Sequence, residues 1–116
     1  MFINLVTEEE IKSIIKNLKI SRPVWDCVSP IVLKATYEYI INPLTHVFNC
    51  SLLKGVVPLE LKAAKVIPLF KSGDKMQLSN YRPVSVLPLF SKILERIMYS
   101  RLLSFVNKHS ILYSYQ

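Results

Sequence analysis

Two cations in the second half of this 116-residue chain, Lys71 and Arg82, are of side-chain types suited to binding phosphate. Lys71 closes an apolar run, Ile67-Pro68-Leu69-Phe70, and Arg82 stands between Tyr81 and Pro83 after a Gly73-Asp74 turn. A guanidinium offers planar, two-point hydrogen bonding to phosphate, and an ammonium supplies a compact point charge. The proline after Arg82 biases that residue toward extended backbone. The same two residues have a plainer reading, in which Arg82 braces its loop through backbone carbonyls and Lys71 is merely solvated. Lys65, Lys75, Lys92 and Arg96 surround them in sequence and extend the list of cations that could meet a nucleic acid.

Charge distribution points the same way. Residues 1–53 hold five basic and five acidic side chains, whereas residues 54–116 hold ten basic and three acidic ones, so the second half carries the whole net charge of +7. A basic half fits a polyanionic partner, nucleic acid or nucleotide phosphate, as well as a solvated basic surface. Other chemistries lack their parts. Cys27 and Cys50 have no metal-site spacing and read as a reduced pair, which places the chain inside the cell, in cytoplasm or nucleus. His46 and His109 belong to no ligand cluster, and no Ser/His/Asp or Cys/His set or Gly-rich phosphate loop is present. Glu8, Glu9 and Glu10 are consecutive, so on a helix they point in different directions and serve capping rather than a metal.

Elements that position these residues can be read from spacing. Thr7-Glu8-Glu9-Glu10 reads as a capping box, with the Glu10 carboxylate reaching back to the backbone. Ile11, Ile14, Ile15 and Leu18 give one apolar face to a helix from about Glu8 to Leu18. Ser21 to Ser29 reads as a loop. Ser29-Pro30 opens a helix to about Ile41, and Asn42-Pro43 repeats that signal, predicting a separate helix to Lys54 that stops at Gly55. Pro58 to Leu61 is a turn or helical fragment. Ala64 to Phe70 predicts a strand, with Pro68 assigning it to an edge or bulge. Ser72 to Lys75 is a turn, Val84 to Leu87 a second short strand, and a last helix runs from Pro88 or Leu89 to about Asn107. Phe90, Ile93, Leu94, Ile97, Leu102 and Phe105 form its expected buried stripe. The fold class is α+β and mostly helical, about four helices with two short strands in one unit, residues 1–116.

Hydrophobic residues make up 51% of the chain and mean hydropathy is +0.31, high for so small a domain. No run of about 20 apolar residues exists to cross a bilayer, and Glu8-Glu9-Glu10 precedes any long apolar run, so no signal-peptide pattern appears and no membrane partner is expected. The excess apolar surface implies faces that meet a partner.

Taken together, Ile67-Pro68-Leu69-Phe70-Lys71, Gly73-Asp74, Asn80-Tyr81-Arg82-Pro83 and Ser91-Lys92-Ile93-Leu94-Glu95 resemble the opening of the reverse transcriptase domain of non-LTR, LINE- or jockey-type, retrotransposons. Glu9-Glu10-Ile11, Asn42-Pro43-Leu44 with Phe48-Asn49, and Ser51-Leu52 followed by Gly55 and Pro58 extend the likeness over nearly the whole chain. The resemblance implies an N-terminal slice of an RNA-directed DNA polymerase, part of the fingers of a right-hand fold. It implies that Lys71 and Arg82 contact the triphosphate of a deoxynucleotide, with RNA and DNA as further partners. It also implies that catalysis needs Mg²⁺ held by palm carboxylates further along, so no cofactor is expected here and the chain alone is expected to be catalytically silent. The palm region, or another protein, is the expected partner for the apolar faces. A non-catalytic basic module that binds RNA or protein is the alternative. One segment departs from the family pattern: in Ser21 to Val28, Pro23 and Asp26 remain, but Val24 and Cys27 stand where glycines are usual. Decay after loss of selection explains this, with reshaping for a new role as the alternative.

Overall fold

The computed structural model describes residues 4–19 and 28–111. The 21–27 part of the expected loop, with Val24, Asp26 and Cys27, and the last five residues lie outside the described residues. Four helices and a two-stranded antiparallel ribbon make up the described chain: α1 (Glu8–Lys16), α2 (Pro30–Lys54), α3 (Leu59–Lys62), β1 (Lys65–Phe70), β2 (Tyr81–Val86) and α4 (Leu89–Lys108), with a 3-10 turn at Leu78–Asn80 before β2. The mostly helical α+β class is as expected.

Helix α1 begins where the sequence predicts, with the Glu10 amide donating to the Thr7 hydroxyl at 3.3 Å. The other half of the capping box is not made. The Glu10 carboxylate instead takes a two-point bond from Arg101 of α4, Nη1 to Oε1 at 2.8 Å and Nη2 to Oε2 at 2.6 Å. A charge-assisted fork is about twice as strong as a neutral hydrogen bond, so it wins the carboxylate. Ile11, Ile15 and Leu18 are buried and Ile14 half-buried, the apolar face read from spacing.

The expected break at Asn42-Pro43 does not occur. Helix α2 runs through Pro43 for 25 residues, from a Ser29 hydroxyl that accepts the Val32 amide to Gly55, whose φ of +65° ends it in the left-handed region. Pro43 removes the amide that would bond Tyr39, a loss of about 3 kcal/mol in a helix interior. Tyr39 is 83% exposed, so the loss falls on the solvent side. Leu33 and Ile41 before the proline, and Phe48 and Leu52 after it, are all buried in one core, and that burial holds the two halves in line.

The core joins Val6, α1, α2 and the first half of α4 (Leu89, Ile93, Leu94 and Ile97). Asn49 fastens the N-terminal segment to α2 from both sides, accepting the Val6 amide at 2.7 Å and donating to the Val6 carbonyl at 3.1 Å. Lys34 donates to the Leu18 carbonyl at 2.8 Å and closes the end of the first helical segment. Leu102, expected on the buried stripe, is 55% exposed, whereas Phe105 three residues on is half-buried.

β1 and β2 pair from Lys65 with Val86 to Phe70 with Tyr81. β2 thus starts three residues before the predicted Val84 and takes Arg82 and Pro83 into the ladder. Pro68 lies directly opposite Pro83. Two residues without amides can face each other at no loss only where neither would donate across the pair, so Pro68–Pro83 occupies a non-hydrogen-bonded position. The Lys71 amide donates to the Asn80 carbonyl at 2.8 Å, three residues further along, in phase with that assignment. The ribbon stands off the helices with its residues largely exposed on both faces. This accounts for a radius of gyration of 17.3 Å, against about 13 Å for a compact chain of this length.

Candidate functional site

Partners across an antiparallel ladder share a face, and alternate residues switch faces. One face of the ribbon therefore carries Lys65 with Val86, Ile67 with Val84, and Leu69 with Arg82. Lys71 follows two residues after Leu69, so Lys71 and Arg82 stand as diagonal neighbours, about 7–8 Å apart at the backbone. Both are exposed, and neither side chain has a hydrogen-bond or ion-pair partner among the described residues. Arg82 makes no bracing bond to a carbonyl among the described residues, while Lys71 is exposed to solvent as its plainer reading has it. Both cations are free to engage an anion in front of this face. Lys65 lies at the far end of it, beyond an exposed apolar strip of Ile67, Leu69 and Val84.

The other face is different. Phe70 and Tyr81 meet edge to face with ring centroids 5.5 Å apart, and the Lys75 ammonium sits 5.8 Å from the centre of the Phe70 ring. Lys75 is thereby held on the side opposite Lys71 and Arg82. Lys92 and Arg96 lie one turn apart on α4, half-buried and exposed respectively, on an element separate from the ribbon. Of the six cations singled out in sequence, the fold brings three to one ribbon face and disperses three.

Residues 71–80 between the strands are fixed by side chains. The Asp74 carboxylate accepts the Met76 amide at 2.9 Å, the Asn80 amide group donates to the Asp74 carbonyl at 2.8 Å, and the Tyr81 hydroxyl donates to the Lys75 carbonyl at 2.9 Å. Gly73 has φ +93°, and a Cβ there would lie 2.8 Å from Asn80 Nδ2, so this position needs glycine twice over.

Nothing in the sequence sets Arg101 apart from the other cations of the second half. Besides Glu10 it reaches the Asn4 carbonyl at 3.2 Å through Nε, which makes it a structural clamp rather than a surface charge. No local signal reveals a partner 91 residues away. An apolar groove of about 340 Å³ lies between α2, α3 and α4, lined by Ile40, Leu44, Val47, Phe48, Leu61 and Phe90 among others. On α2 the His46 Nε2 lies 3.5 Å from the Cys50 sulfur. Among the described residues no three His, Cys, Asp or Glu side chains converge as a metal site would require, and no helix is long and apolar enough to cross a membrane.

The described chain is thus a helical body with a side-chain-locked ribbon that carries Lys65, Lys71 and Arg82 on one face. No protein-family model matches the chain. It is 32% identical over 104 residues to the RNA-directed DNA polymerase from mobile element jockey of Drosophila melanogaster, across 88% of this chain and 11% of that protein. It is 34% identical over 95 residues to a putative 115 kDa protein in the type-1 retrotransposable element R1DM of the same species, across 79% of this chain and 9% of that protein. With the probable RNA-directed DNA polymerase from transposon BS, also of Drosophila melanogaster, identity is 32% over 110 residues, 93% of this chain and 12% of the relative. The chain belongs to the family of non-LTR retrotransposon RNA-directed DNA polymerases. It spans about a tenth of the length of the curated relatives it matches.

Proposed function

We propose that this chain is the phosphate-binding part of the fingers of such a polymerase, with Lys71 and Arg82 receiving the triphosphate of an incoming deoxynucleotide. One observation carries the reading: the two cations are diagonal neighbours on a single exposed ribbon face and neither is spent on an internal partner. Arg82 would hold two phosphate oxygens with its fork and Lys71 would add charge beside it. Both would stabilise negative charge as pyrophosphate leaves. Lys65, Lys75, Lys92 and Arg96 supply a diffuse basic field for RNA or DNA.

Polymerisation itself uses paired Mg²⁺ ions held by converging carboxylates. The only aspartates of this chain are Asp26 and Asp74, and Asp74 is occupied in the turn, so the metal pair belongs to residues of the full-length enzyme outside this segment. The chain alone then binds without catalysing. The exposed apolar surface, Ile67, Leu69 and Val84 on the ribbon and the groove on the body, supports docking of the polymerase palm or another protein. Calorimetric titration of the purified chain with inorganic tripolyphosphate tests the site. Arg82→Ala and Lys71→Ala should each weaken binding about tenfold or more, the loss of one charge-assisted contact. Unchanged affinity in both variants would overturn the assignment.

A further inference from the structure

The ten residues between the two strands are long for a ribbon of six-residue strands, yet they are tied down by side chains at both ends. From the structure we infer that Asn80 and Tyr81 are positioning residues: they lock the 71–80 loop so that Lys71 and Arg82 are held ready for a polyphosphate. This rests on the phosphate-binding reading above and adds to it the residues that make the pair a preformed site.

Two locks act at separate points. Asn80 lies directly before β2, and its backbone carbonyl accepts the Lys71 amide at 2.8 Å while its side-chain amide donates to the Asp74 carbonyl at 2.8 Å. One residue therefore fixes the backbone of Lys71 and the middle of the loop together. The close packing of Gly73 against the same side-chain amide leaves Asn80 little room to move. Tyr81 adds the second lock, with its hydroxyl on the Lys75 carbonyl at 2.9 Å and its ring against Phe70. That lock also keeps the Lys75 ammonium over Phe70, away from the cation pair. Arg82 follows Tyr81 immediately and precedes Pro83, so its backbone is constrained from both sides.

An ordered loop binds more tightly because the cost of ordering has been met during folding rather than on binding. The ribbon stands off the core, and none of the loop's hydrogen bonds reaches a helix. Loosening the loop should therefore leave global stability where it was.

The test uses the 116-residue chain and tripolyphosphate as the probe. Tyr81→Phe keeps the ring and removes only the hydroxyl bond; Asn80→Ala removes the amide. Each should weaken tripolyphosphate binding about three- to tenfold and speed hydrogen exchange at the Lys71 amide, with an unchanged melting temperature. Faster exchange at Lys71 with unaltered tripolyphosphate affinity would show that the lock serves the loop alone and would overturn the positioning role. So would unaltered exchange and affinity in both variants. Arg82→Ala separates the two proposals. If it weakens binding while Tyr81→Phe and Asn80→Ala do not, only the positioning role fails; if Arg82→Ala and Lys71→Ala have no effect, the phosphate site fails and the positioning role falls with it.

Discussion

Replacing Arg101 by alanine should destabilise the chain by about 2 kcal/mol, far more than removal of an exposed, unpaired cation such as Lys71. The magnitude follows from intermediate burial. Exposed ion pairs contribute roughly 0–1 kcal/mol, whereas removing one partner of a buried pair costs about 3–5 kcal/mol. The Arg101 and Glu10 side chains are 18% and 27% exposed, and the contact is two-pronged with a further bond to the Asn4 carbonyl. At the size of this chain about 2 kcal/mol lowers the melting temperature by roughly 8 °C. Urea denaturation followed by circular dichroism measures it, and a double-mutant cycle with Glu10→Gln isolates the pair. The Glu10 hydrogen bond raises the Arg101 pKa above its ordinary value, with burial opposing and the charge of Glu10 adding. A raised folded-state value means that this contribution is fully present below the unfolded value and is lost only as pH rises through the folded one. The difference between wild type and Arg101→Ala should accordingly stay constant from neutral pH to about pH 10. A loss under about 0.5 kcal/mol, or a cycle showing no coupling, would refute the clamp.

Asn49→Ala leaves both backbone groups of the 3%-exposed Val6 without their partner and should cost about 2–3 kcal/mol, read by the same denaturation experiment. RNA binding by the chain should be weak, carried by residues 54–116, and fall steeply with salt, at roughly 0.7 counterions released per phosphate contact on single strands; filter binding across a salt series checks it, and a salt-independent affinity contradicts it. No primer extension is expected from the 116 residues with Mg²⁺ on a primed RNA template, since the aspartates needed for two metals are not supplied; template-dependent synthesis by the purified chain would reverse that expectation. Arg82→Lys should lower tripolyphosphate affinity without changing the melting temperature, because the fork is lost but no internal contact is.

Local chemistry was legible where one residue settles the backbone. The Thr7 and Ser29 caps, the stop at Gly55, the strand into Phe70 and the start of α4 all lie within about a residue of the positions read from sequence. Asn42-Pro43 misled because its local signal is the same as that of Ser29-Pro30. Only the burial of Ile41 and Phe48 on either side, a property of the packed core, decides that one continues a helix and the other begins one. Glu10 was assigned to its own helix end since a competing guanidinium 91 residues away is invisible to spacing. For the candidate site, motif singles out the two cations, but spacing does not give their shared face, because a second strand starting at Val84 leaves Arg82 outside the ladder. The pairing of Leu69 with Arg82 supplies that face.

The facing prolines of the ribbon bear on edge-to-edge strand pairing. At a non-hydrogen-bonded position the backbone nitrogens point outward, Pro68 to the free border of β1 and Pro83 to that of β2. Each border thus lacks a donor near its centre, where an incoming strand would seek one. An apolar two-stranded ribbon held away from its core is otherwise a template for growth into larger sheets and fibrils. Here both sides are blunted by one matched pair of residues. The faces stay open, so whatever recognises this ribbon must lie across it rather than extend it.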